Sequence, residues 1–258
     1  MRCFPHCNLE ELEYKGKTVL ILGGNSDVGK SISRDLAKLG SNLILTTRKK
    51  GQLDSLKSDL EIRYSIKCDI DFFDATNFIS HDKFYNKIKT EIDVVICCIG
   101  YLDSQQRSEV DFNESLMSIQ TNFTGLVSIL NIISNDFENK KSGIIVGISS
   151  VAGDRGRGTN YIYGSSKSAF TSYLSGLRNR LSKSGVKVIT VKPGFIKTKM
   201  TSHLTLPKLL TASPHKISKD ILNAINKNQD VIYSKSIWRW IMLIIKNIPE
   251  FVFKKLKL

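Results

Sequence analysis

Ser150, Tyr163 and Lys167 are the residues whose types and spacing best suit proton transfer. The apolar run from Gly143 to Ile148 predicts a buried strand that ends just before Ser150, and a helix is predicted to begin near Asn160. Tyr163 and Lys167 are four residues apart on that helix, so they share a face. A free phenol has a pKa of about 10, and a lysine ammonium beside it is expected to lower that pKa. Tyr163 would then serve as a general acid or base.

This pair is not specific by itself, because a half-buried tyrosine beside a solvent-seeking lysine is common on helices. The catalytic interpretation therefore needs a cofactor site and further polar groups. Asn122 is one candidate, within a segment from Ser108 to Phe137 that is predicted to be a long helix packed along a sheet. A mid-helix asparagine is more often a kink or a backbone partner than a catalytic group. The apolar residues expected on one side of this helix are Leu116, Ile119, Phe123, Leu126, Val127 and Leu130.

The first half of the chain has the order strand, glycine turn, helix. The run KTVLIL, ending at Leu22, predicts a strand, GGNSDVG follows, and a helix is predicted from Lys30 to Leu39. Gly23 and Gly29 would let the backbone approach a pyrophosphate, and the helix amino terminus favours an anion. The spacing G-x5-G lacks the third glycine of the common dinucleotide fingerprint, so this motif alone is weak.

The next strands predict a parallel sheet and an NADP(H) preference. Asn42 to Thr47 predicts the second strand, and Arg48 follows it. At this position a carboxylate would bind the free ribose hydroxyls of NAD(H), whereas an arginine suits the ribose phosphate of NADP(H). NADP(H) is therefore favoured over NAD(H), although a solvated charge run would look the same. A third strand is predicted from Tyr64 to Cys68, which places Asp69 and Ile70 where adenine could be read. Asp93 to Cys98 predicts a fourth strand, apolar throughout as in doubly covered parallel sheets.

Composition favours one intracellular domain. The 258 residues carry no linker or repeat, so we expect an α/β Rossmann-type doubly wound parallel sheet with flanking helices, formed by residues 1–234 with a helical tail of residues 235–258. Five cysteines without a C-x-x-C pair, four histidines and a polar amino terminus predict reduced thiols, no metal site and no secretory signal. The net charge of +14 comes from scattered Lys and Arg without a nucleic-acid motif. A solvated surface, an anionic membrane and a phosphorylated substrate fit this charge equally.

The carboxyl-terminal third is expected to determine the substrate. Thr198 to Ser213 reads as a loop in the position of a substrate lid, Ser218 to Asn226 as a helix and Asp230 to Tyr233 as the last strand. Residues 236–258 combine aromatic and basic side chains, and their apolar run is too short to cross a bilayer. This tail suits either an interfacial helix on an anionic membrane or a helix packed on the protein.

The residues together resemble the classical short-chain dehydrogenase/reductase family. The loop from Gly23 to Gly29 matches at its first and last glycines, with Asp27 in place of the middle one. Asp69 matches the adenine-side aspartate, and one set matches the catalytic tetrad: Asn122, Ser150, Tyr163 and Lys167. A Pro-Gly motif begins at Pro193 and Gly194. The family commonly has Asn-Asn-Ala-Gly after the fourth strand, whereas this chain has Cys97, Cys98, Ile99 and Gly100. The resemblance implies cofactor contacts from Gly23, Asn25, Ser26, Val28, Gly29, Arg48, Asp69, Ile70, Cys98, Gly100, Tyr163, Lys167, Pro193, Gly194, Ile196 and Thr198.

Three stretches are similar to a narrower branch of this family: GISSVAGDRGRGTNYIYGSSKSAF, KPGFIKTKMTSHL and IPEFVFKKLKL. That branch reduces decaprenylphosphoryl 2-keto-pentose in cell-surface polysaccharide synthesis. The resemblance implies an NAD(P)H-dependent ketosugar reductase, cytoplasmic or at the inner face of the cytoplasmic membrane, and a homodimer or homotetramer. Two alternatives remain open: a reductase of a soluble or acyl ketone, and a non-enzymatic cofactor-sensing or nucleic-acid-binding protein on the same fold.

Overall fold

A seven-stranded parallel sheet forms the centre of the computed structural model, which describes residues 14–89, 92–202 and 204–256. The sheet has the strand order β3-β2-β1-β4-β5-β6-β9, and β7 pairs with β8 beside it. The strands are β1 (Thr18–Leu22), β2 (Asn42–Thr47), β3 (Cys68–Phe72), β4 (Val94–Cys97), β5 (Ile144–Ile148), β6 (Lys187–Pro193), β7 (Phe195–Ile196), β8 (Thr211–Ala212) and β9 (Val231–Ser234). Cys3, Cys7 and the predicted lack of a signal segment lie outside the described residues.

Helices cover both faces of this sheet. They are α1 (Asp27–Lys38), α2 (Asp54–Tyr64), α3 (His81–Ile88), α4 (Gln105–Val110), α5 (Phe112–Ile119), α6 (Gly125–Lys140), α7 (Tyr161–Leu181), α8 (Pro214–Asn226), α9 (Ile237–Asn247) and α10 (Glu250–Phe253). Alternate strand residues point to opposite faces, so Val19 and Ile21 pack under α1 and α8, while Leu20 and Leu22 pack under α6 and α7. The predicted Rossmann-type fold is confirmed. Its strand order reverses between β1 and β4, where such sheets form a crevice.

The third strand begins where the sequence pattern was expected to end it. Tyr64 closes α2, Ser65 follows in the left-handed conformation at φ 53°, and β3 begins only at Cys68. The prediction of a strand from Tyr64 to Cys68 is therefore wrong. Edge strand β3 alternates polar and apolar residues, so it lacks the continuous apolar run that identified the inner strands. Asp69 consequently lies inside the strand and not after it.

The predicted single helix from Ser108 to Phe137 is interrupted once, at the extended Asp111 between α4 and α5. From there α5 continues through a π-helical turn at Gln120–Thr124 into α6. In α5 Ser115 is buried while Leu116 is 37% exposed, which reverses the expected side for Leu116. The helical run Phe112–Lys140 is long enough to cross a membrane, and an 18-residue window within it has a mean hydropathy of 1.4. Its apolar character reflects packing on the sheet, since Leu126 and Leu130 are fully buried.

The tail packs on the domain through one helix face. Trp238 and Met242 of α9 are buried against Val151. Arg155 fastens the end of α9: its guanidinium donates to the carbonyl of Ile248 at 2.6 Å, pairs with Glu250 and stacks on Phe253. The packed alternative for the tail is thus correct for the inner face of α9. The division of the chain at residue 234 remains a prediction.

Candidate active site

Two adjoining cavities open at the carboxyl edge of the sheet. The Tyr163 cavity, about 300 Å³, is lined by residues from the ends of β4, β5 and β6 and from the segments that follow them. The Arg48 cavity, about 370 Å³, is lined by residues that follow β1, β2 and β3. The cavities share Asn25, Ser26 and Gly100. An extended ligand could therefore occupy both, as expected at the point where strand order reverses.

The end of β5 and the first turns of α7 bring Ser150, Tyr163 and Lys167 into one cavity wall. Ser150 begins a short 3-10 turn, and its hydroxyl accepts a hydrogen bond from the Ala152 amide at 3.1 Å. This turn lies directly on α7: a Cβ at Gly153 would come within 2.7 Å of the Lys167 backbone. Only glycine permits that approach, which places Ser150 beside Tyr163.

The pKa of the Tyr163 phenol is raised above its ordinary value of 10.0. Burial is the main cause, while the Ser150 hydroxyl and the positive charge of Arg157 both lower the pKa. Lys167 was expected to provide that positive charge. Its Nζ instead lies 5.9 Å from the Tyr163 ring centre and donates to the carbonyl of Ile148 at 3.2 Å. In the structure the charge of Arg157 contributes to lowering the pKa of the phenol, and the effect expected of Lys167 stays a prediction.

Lys167 itself is buried, with 3% of its surface exposed. Burial lowers its pKa from 10.5 to about 8, partly opposed by Cys97 and Cys98. Burial also raises the pKa of the Cys97 thiol to about 12 and that of Cys98 further, so neither thiol is ionised near neutral pH. Of the two cysteines that replace the family's asparagines, Cys98 is therefore a neutral wall residue and Cys97 a neutral core residue. The Lys167 ammonium therefore loses its proton at a lower pH than an exposed lysine does.

Asn122 lies in the π-helical turn behind the cavity wall. Its side chain accepts from the Tyr101 amide at 2.9 Å and donates to the Tyr101 carbonyl at 2.7 Å. A Cβ on Gly100 would lie 3.7 Å from Asn122 Oδ1 and 3.8 Å from Lys167 Nζ. Asn122 and Lys167 thus both approach Gly100, and Asn122 fixes the backbone after β4. The tetrad role of Asn122 stays a prediction.

The glycine loop after β1 is braced from within. Gly23 has φ 84°, a conformation that favours glycine, and the Ser26 hydroxyl donates to its carbonyl at 2.8 Å. The Gly29 amide donates to Ser26 Oγ at 3.0 Å, and a Cβ at Gly29 would meet the Gly23 carbonyl at 2.5 Å. Gly29 therefore permits tight packing inside the loop and lines neither cavity. Asp27, in place of the family's middle glycine, accepts from the Lys199 amide at 2.7 Å and ties the loop to the lid.

The Pro-Gly motif forms the opposite wall. Pro193, Gly194, Ile196 and Thr198 all line the Tyr163 cavity, as do Val28 and Cys98. Gly194 faces the Trp238 ring so closely that a Cβ would lie 2.0 Å from it. The Trp238 indole also donates to the carbonyl of Leu210 in the lid at 3.0 Å. One tail residue thus supports both the motif and the lid.

The adenine-side prediction fails at Asp69 and Ile70. Asp69 pairs with Lys67 at 3.3 Å on strand β3, and Ile70 packs on the hydrophobic core. Arg48 does line its cavity, together with Asp74. Asp74 follows the true end of β3, and its carboxylate accepts from the Thr76 amide at 2.9 Å. This side-chain turn after a strand is the signal that could have identified Asp74.

The lining of the Tyr163 cavity also includes residues that were not singled out as site residues from the sequence, among them Arg157, Asn160, Leu102 and Leu204. Arg157 and Asn160 belong to the polar segment between the Ser150 turn and α7. That segment reads as an ordinary loop, so no local pattern marked them. Leu204 lies within the predicted lid, which confirms that the lid borders the cavity.

A sequence model of the short chain dehydrogenases matches residues 17–208 of this chain. The chain belongs to the short-chain dehydrogenase/reductase family. It is 28% identical over 241 residues to an uncharacterized oxidoreductase of Mycobacterium tuberculosis, covering 92% of this chain and 96% of that protein. It is 24% identical to an NADP-dependent 3-hydroxy acid dehydrogenase of Schizosaccharomyces pombe, covering 86% and 92%.

Solved structures of the family have the same fold. A Burkholderia cenocepacia short chain dehydrogenase in complex with NADP superposes with a TM-score of 0.81 at 19% identity, covering 94% of this chain and 98% of that one. A Sphingobium yanoikuyae short-chain dehydrogenase in complex with NADPH also gives 0.81, at 23% identity, covering 91% and 97%. This short-chain dehydrogenase/reductase is therefore an NAD(P)-dependent oxidoreductase acting on CH-OH groups. The predicted enzyme class is confirmed, and the non-enzymatic alternative is set aside.

Proposed function

We propose that this enzyme uses NADP(H) to reduce a ketone to a secondary alcohol, with Tyr163 as proton donor and Ser150, Lys167 and Asn122 as its partners. The observation that carries the proposal is the shared cavity wall of Tyr163, Ser150 and Lys167 beside a second, basic cavity. The reaction class follows from the family, and the residue roles follow from these positions.

The residues fit a phosphorylated dinucleotide. Gly23 lines the second cavity, and α1 begins at the cleft with Ser26 as its amino-terminal cap. Arg48 and Lys49 line the second cavity directly after β2, where a carboxylate would suit NAD(H). Two basic residues at this place favour the 2′-phosphate of NADP(H). When bound, the reduced nicotinamide supplies the hydride for the substrate carbonyl.

Residues of the chain would supply the proton that the carbonyl oxygen takes up. Tyr163 donates its phenolic proton to the carbonyl oxygen, and the Ser150 hydroxyl donates a hydrogen bond to the same oxygen as negative charge develops there. Lys167, with a pKa of about 8, can return a proton to the phenolate near neutral pH. Asn122 holds the Tyr101 backbone beside Lys167. The water that would link Lys167 to solvent remains a prediction from the family resemblance.

The proposed substrate is a polyprenyl-phosphate-linked ketosugar of cell-envelope polysaccharide synthesis. The sequence resemblance to the keto-pentose reductase branch motivates this choice. The wall of the Tyr163 cavity supports it, because apolar residues of β7, the lid and the tail contribute to it: Phe195, Met200, Leu204 and Trp238. A sugar on a lipid carrier presents both polar and apolar surface to such a wall.

The outer face of α9 supports a membrane location. Trp240 is 64% exposed and Ile244 is 68% exposed, although α9 already buries its opposite face. A helix that is apolar on two faces needs a second partner. Arg239 and Lys246 are exposed beside this outer face, so its charge complements an anionic bilayer at the inner side of the cytoplasmic membrane.

Flotation with liposomes of anionic or neutral lipid tests the membrane location. We expect the protein to float with anionic liposomes, and the double variant Trp240→Glu/Ile244→Glu to lose at least about 10-fold in bound fraction. Asn77→Glu/Asn86→Glu adds the same charge at exposed positions away from the tail and serves as control. Equal flotation of both variants would contradict the proposal. Truncation is a poorer test, because it removes Trp238 from the cavity wall.

A reductase of a soluble or acyl ketone is the second candidate function. The specific observation in its favour is the similarity to the Schizosaccharomyces pombe protein named for 3-hydroxy acids. The deciding assay follows NADPH oxidation with a polyprenyl-phosphate keto-pentose, a free ketopentose and a 3-oxo acid. We expect the lipid-linked sugar to have the highest kcat/KM. A preference for either soluble ketone would replace the first candidate with the second.

We also propose that the enzyme is a homodimer or homotetramer, as the family implies. Phe112, Leu116 and Met117 of α5 expose apolar surface beside the long helices α6 and α7, which agrees with a self-association surface. Light scattering after gel filtration tests this. A monomer at micromolar concentration would contradict it.

A further inference from the structure

Arg157 occupies an unusual position in the Tyr163 cavity. It lies in the loop between the Ser150 turn and α7, and it lines the same wall as Tyr163. Its charge is close enough to act on the phenol. A guanidinium here is not required by the family's proton-transfer chemistry, which needs only the tyrosine, serine and lysine already described.

Polar atoms of this loop are buried without partners. Among the residues that the structure describes, Arg157 Nε and Asn160 Oδ1 are both shielded from solvent and neither has a hydrogen-bond partner. A buried polar atom left unpaired destabilises a fold, so such atoms are rare in folded proteins. Two of them in one loop, both from residues that line a ligand cavity, indicate that their partner is the ligand.

Arg155, in contrast to Arg157, makes the contacts expected of a structural arginine. Arg155, two residues earlier, is bonded to the Ile248 carbonyl and to Glu250, and it stacks on Phe253. The nearby carboxylate of Asp154 already pairs with Lys192 at 2.6 Å and accepts a hydrogen bond from the Tyr233 hydroxyl at 2.7 Å. No described carboxylate is paired with Arg157.

The geometry points to Arg157, assisted by Asn160, as the anchor for an anionic group on the substrate. The group would be a phosphate or a carboxylate close to the reacting carbonyl. A planar guanidinium binds either anion through two parallel hydrogen bonds, and the surrounding apolar wall strengthens the attraction by excluding water. Arg157, Lys167 and Lys199 line the cavity against one carboxylate, Asp27, so the cavity carries excess positive charge. This inference rests on the proposed function and narrows its substrate class.

A binding experiment tests the anchor independently of turnover. Ribose 5-phosphate and acetoacetate are titrated by calorimetry into the full-length protein saturated with NADP⁺, so that the cofactor's own phosphate site is filled. We expect at least one anion to bind, and Arg157→Gln to weaken it by at least about 10-fold, with Arg157→Lys in between. Ribose and methyl acetoacetate, the uncharged counterparts, should bind equally to all three proteins. Absence of binding by both anions would overturn the inference even if the enzyme reduces neutral ketones.

Kinetics then separate substrate anchoring from an effect on Tyr163. Ribulose 5-phosphate is compared with ribulose, and acetoacetate with methyl acetoacetate. Arg157→Gln should raise KM for the charged member about 10-fold relative to KM for the uncharged member. Which pair shows the effect identifies phosphate or carboxylate as the source. An equal fall in kcat for both members, with a shifted pH profile, would mean that Arg157 only tunes the phenol.

Stability provides a third readout. Removal of a structural arginine such as Arg155 should lower the melting temperature. Arg157→Gln removes an unpaired buried charge and should leave the melting temperature unchanged or raise it. Lower stability of Arg157→Gln with unchanged anion binding would assign Arg157 a structural role and overturn the inference.

Discussion

The two cavities of the cleft differ in how far apart their lining residues lie in the sequence. The Arg48 cavity draws on residues 23–121, in the first four βα units. The Tyr163 cavity draws on residues 25–238 and depends on the lid and on Trp238 of the tail. The first is therefore a product of local strand-turn-helix geometry, whereas the second exists only when distant segments pack together. Changes in the chemistry of one should leave the function of the other intact.

Tyr163→Phe should give the largest difference between the functions of the two cavities. Removal of the phenolic proton donor is expected to lower kcat by at least about 100-fold, the usual size of a general-acid contribution. NADPH affinity, measured by fluorescence titration, should stay unchanged because the Arg48 cavity is not altered. Tyr161→Phe, on the exposed first turn of the same helix, is the matched control. An active Tyr163→Phe variant would remove Tyr163 from the mechanism.

The buried Lys167 should make stability depend on pH. Its pKa falls from 10.5 in the unfolded chain to about 8 in the fold, so the charged form is disfavoured on folding. A shift of this size corresponds to roughly 3 kcal/mol of destabilisation. It is fully present below about pH 8 and is relieved as the pH rises toward 10.5. Urea unfolding of the wild type and Lys167→Met should show the variant's advantage shrinking between pH 7.5 and 10. A constant difference would contradict the lowered pKa.

Gly194→Ala tests the dependence of the Tyr163 cavity on the tail. The added Cβ would lie 2.0 Å from the Trp238 ring, so the ring must move and α9 with it. We expect a loss of about 2 kcal/mol in unfolding free energy, typical of an overpacked core. Gly156→Ala is the control, since a Cβ there meets nothing within 4 Å. Equal stability of the two variants would show that the tail is only loosely attached.

Arg48→Ala should affect the other cavity alone. The loss of one charge-assisted hydrogen bond to the 2′-phosphate is expected to raise KM for NADPH about 10-fold. KM for NADH and kcat with either cofactor should change by less than about twofold. Arg34→Ala, an exposed arginine on α1 away from the cavity lining, is the control. A similar rise for both cofactors would mean that Arg48 does not distinguish them.

Patterns local in sequence predicted most of the fold and the proton-transfer residues. The inner strands are continuous apolar runs, so β2 was placed at its observed limits and β5 to within one residue. Edge strand β3 has no such run. Its displaced position accounts for the error at Asp69, and Asp74 occupies the cavity instead. Helix limits were less certain, since α1 and α8 begin three and four residues before the predicted starts, at caps Ser26 and Ser213.

The sequence by itself determined that Tyr163 and Lys167 share one face of a helix, because they are four residues apart on α7. Their meeting with Ser150 depends on the packing of the turn at Gly153 against that helix. Only the tertiary structure decided which cation acts on Tyr163. The packing of a loop brings the charge of Arg157 near enough to lower the pKa of the phenol, and Lys167 donates a hydrogen bond to the Ile148 carbonyl. The tertiary structure also decided that Trp238 completes the cavity. Contacts between residues far apart in the chain depend on how the whole core packs, and no local pattern encodes them.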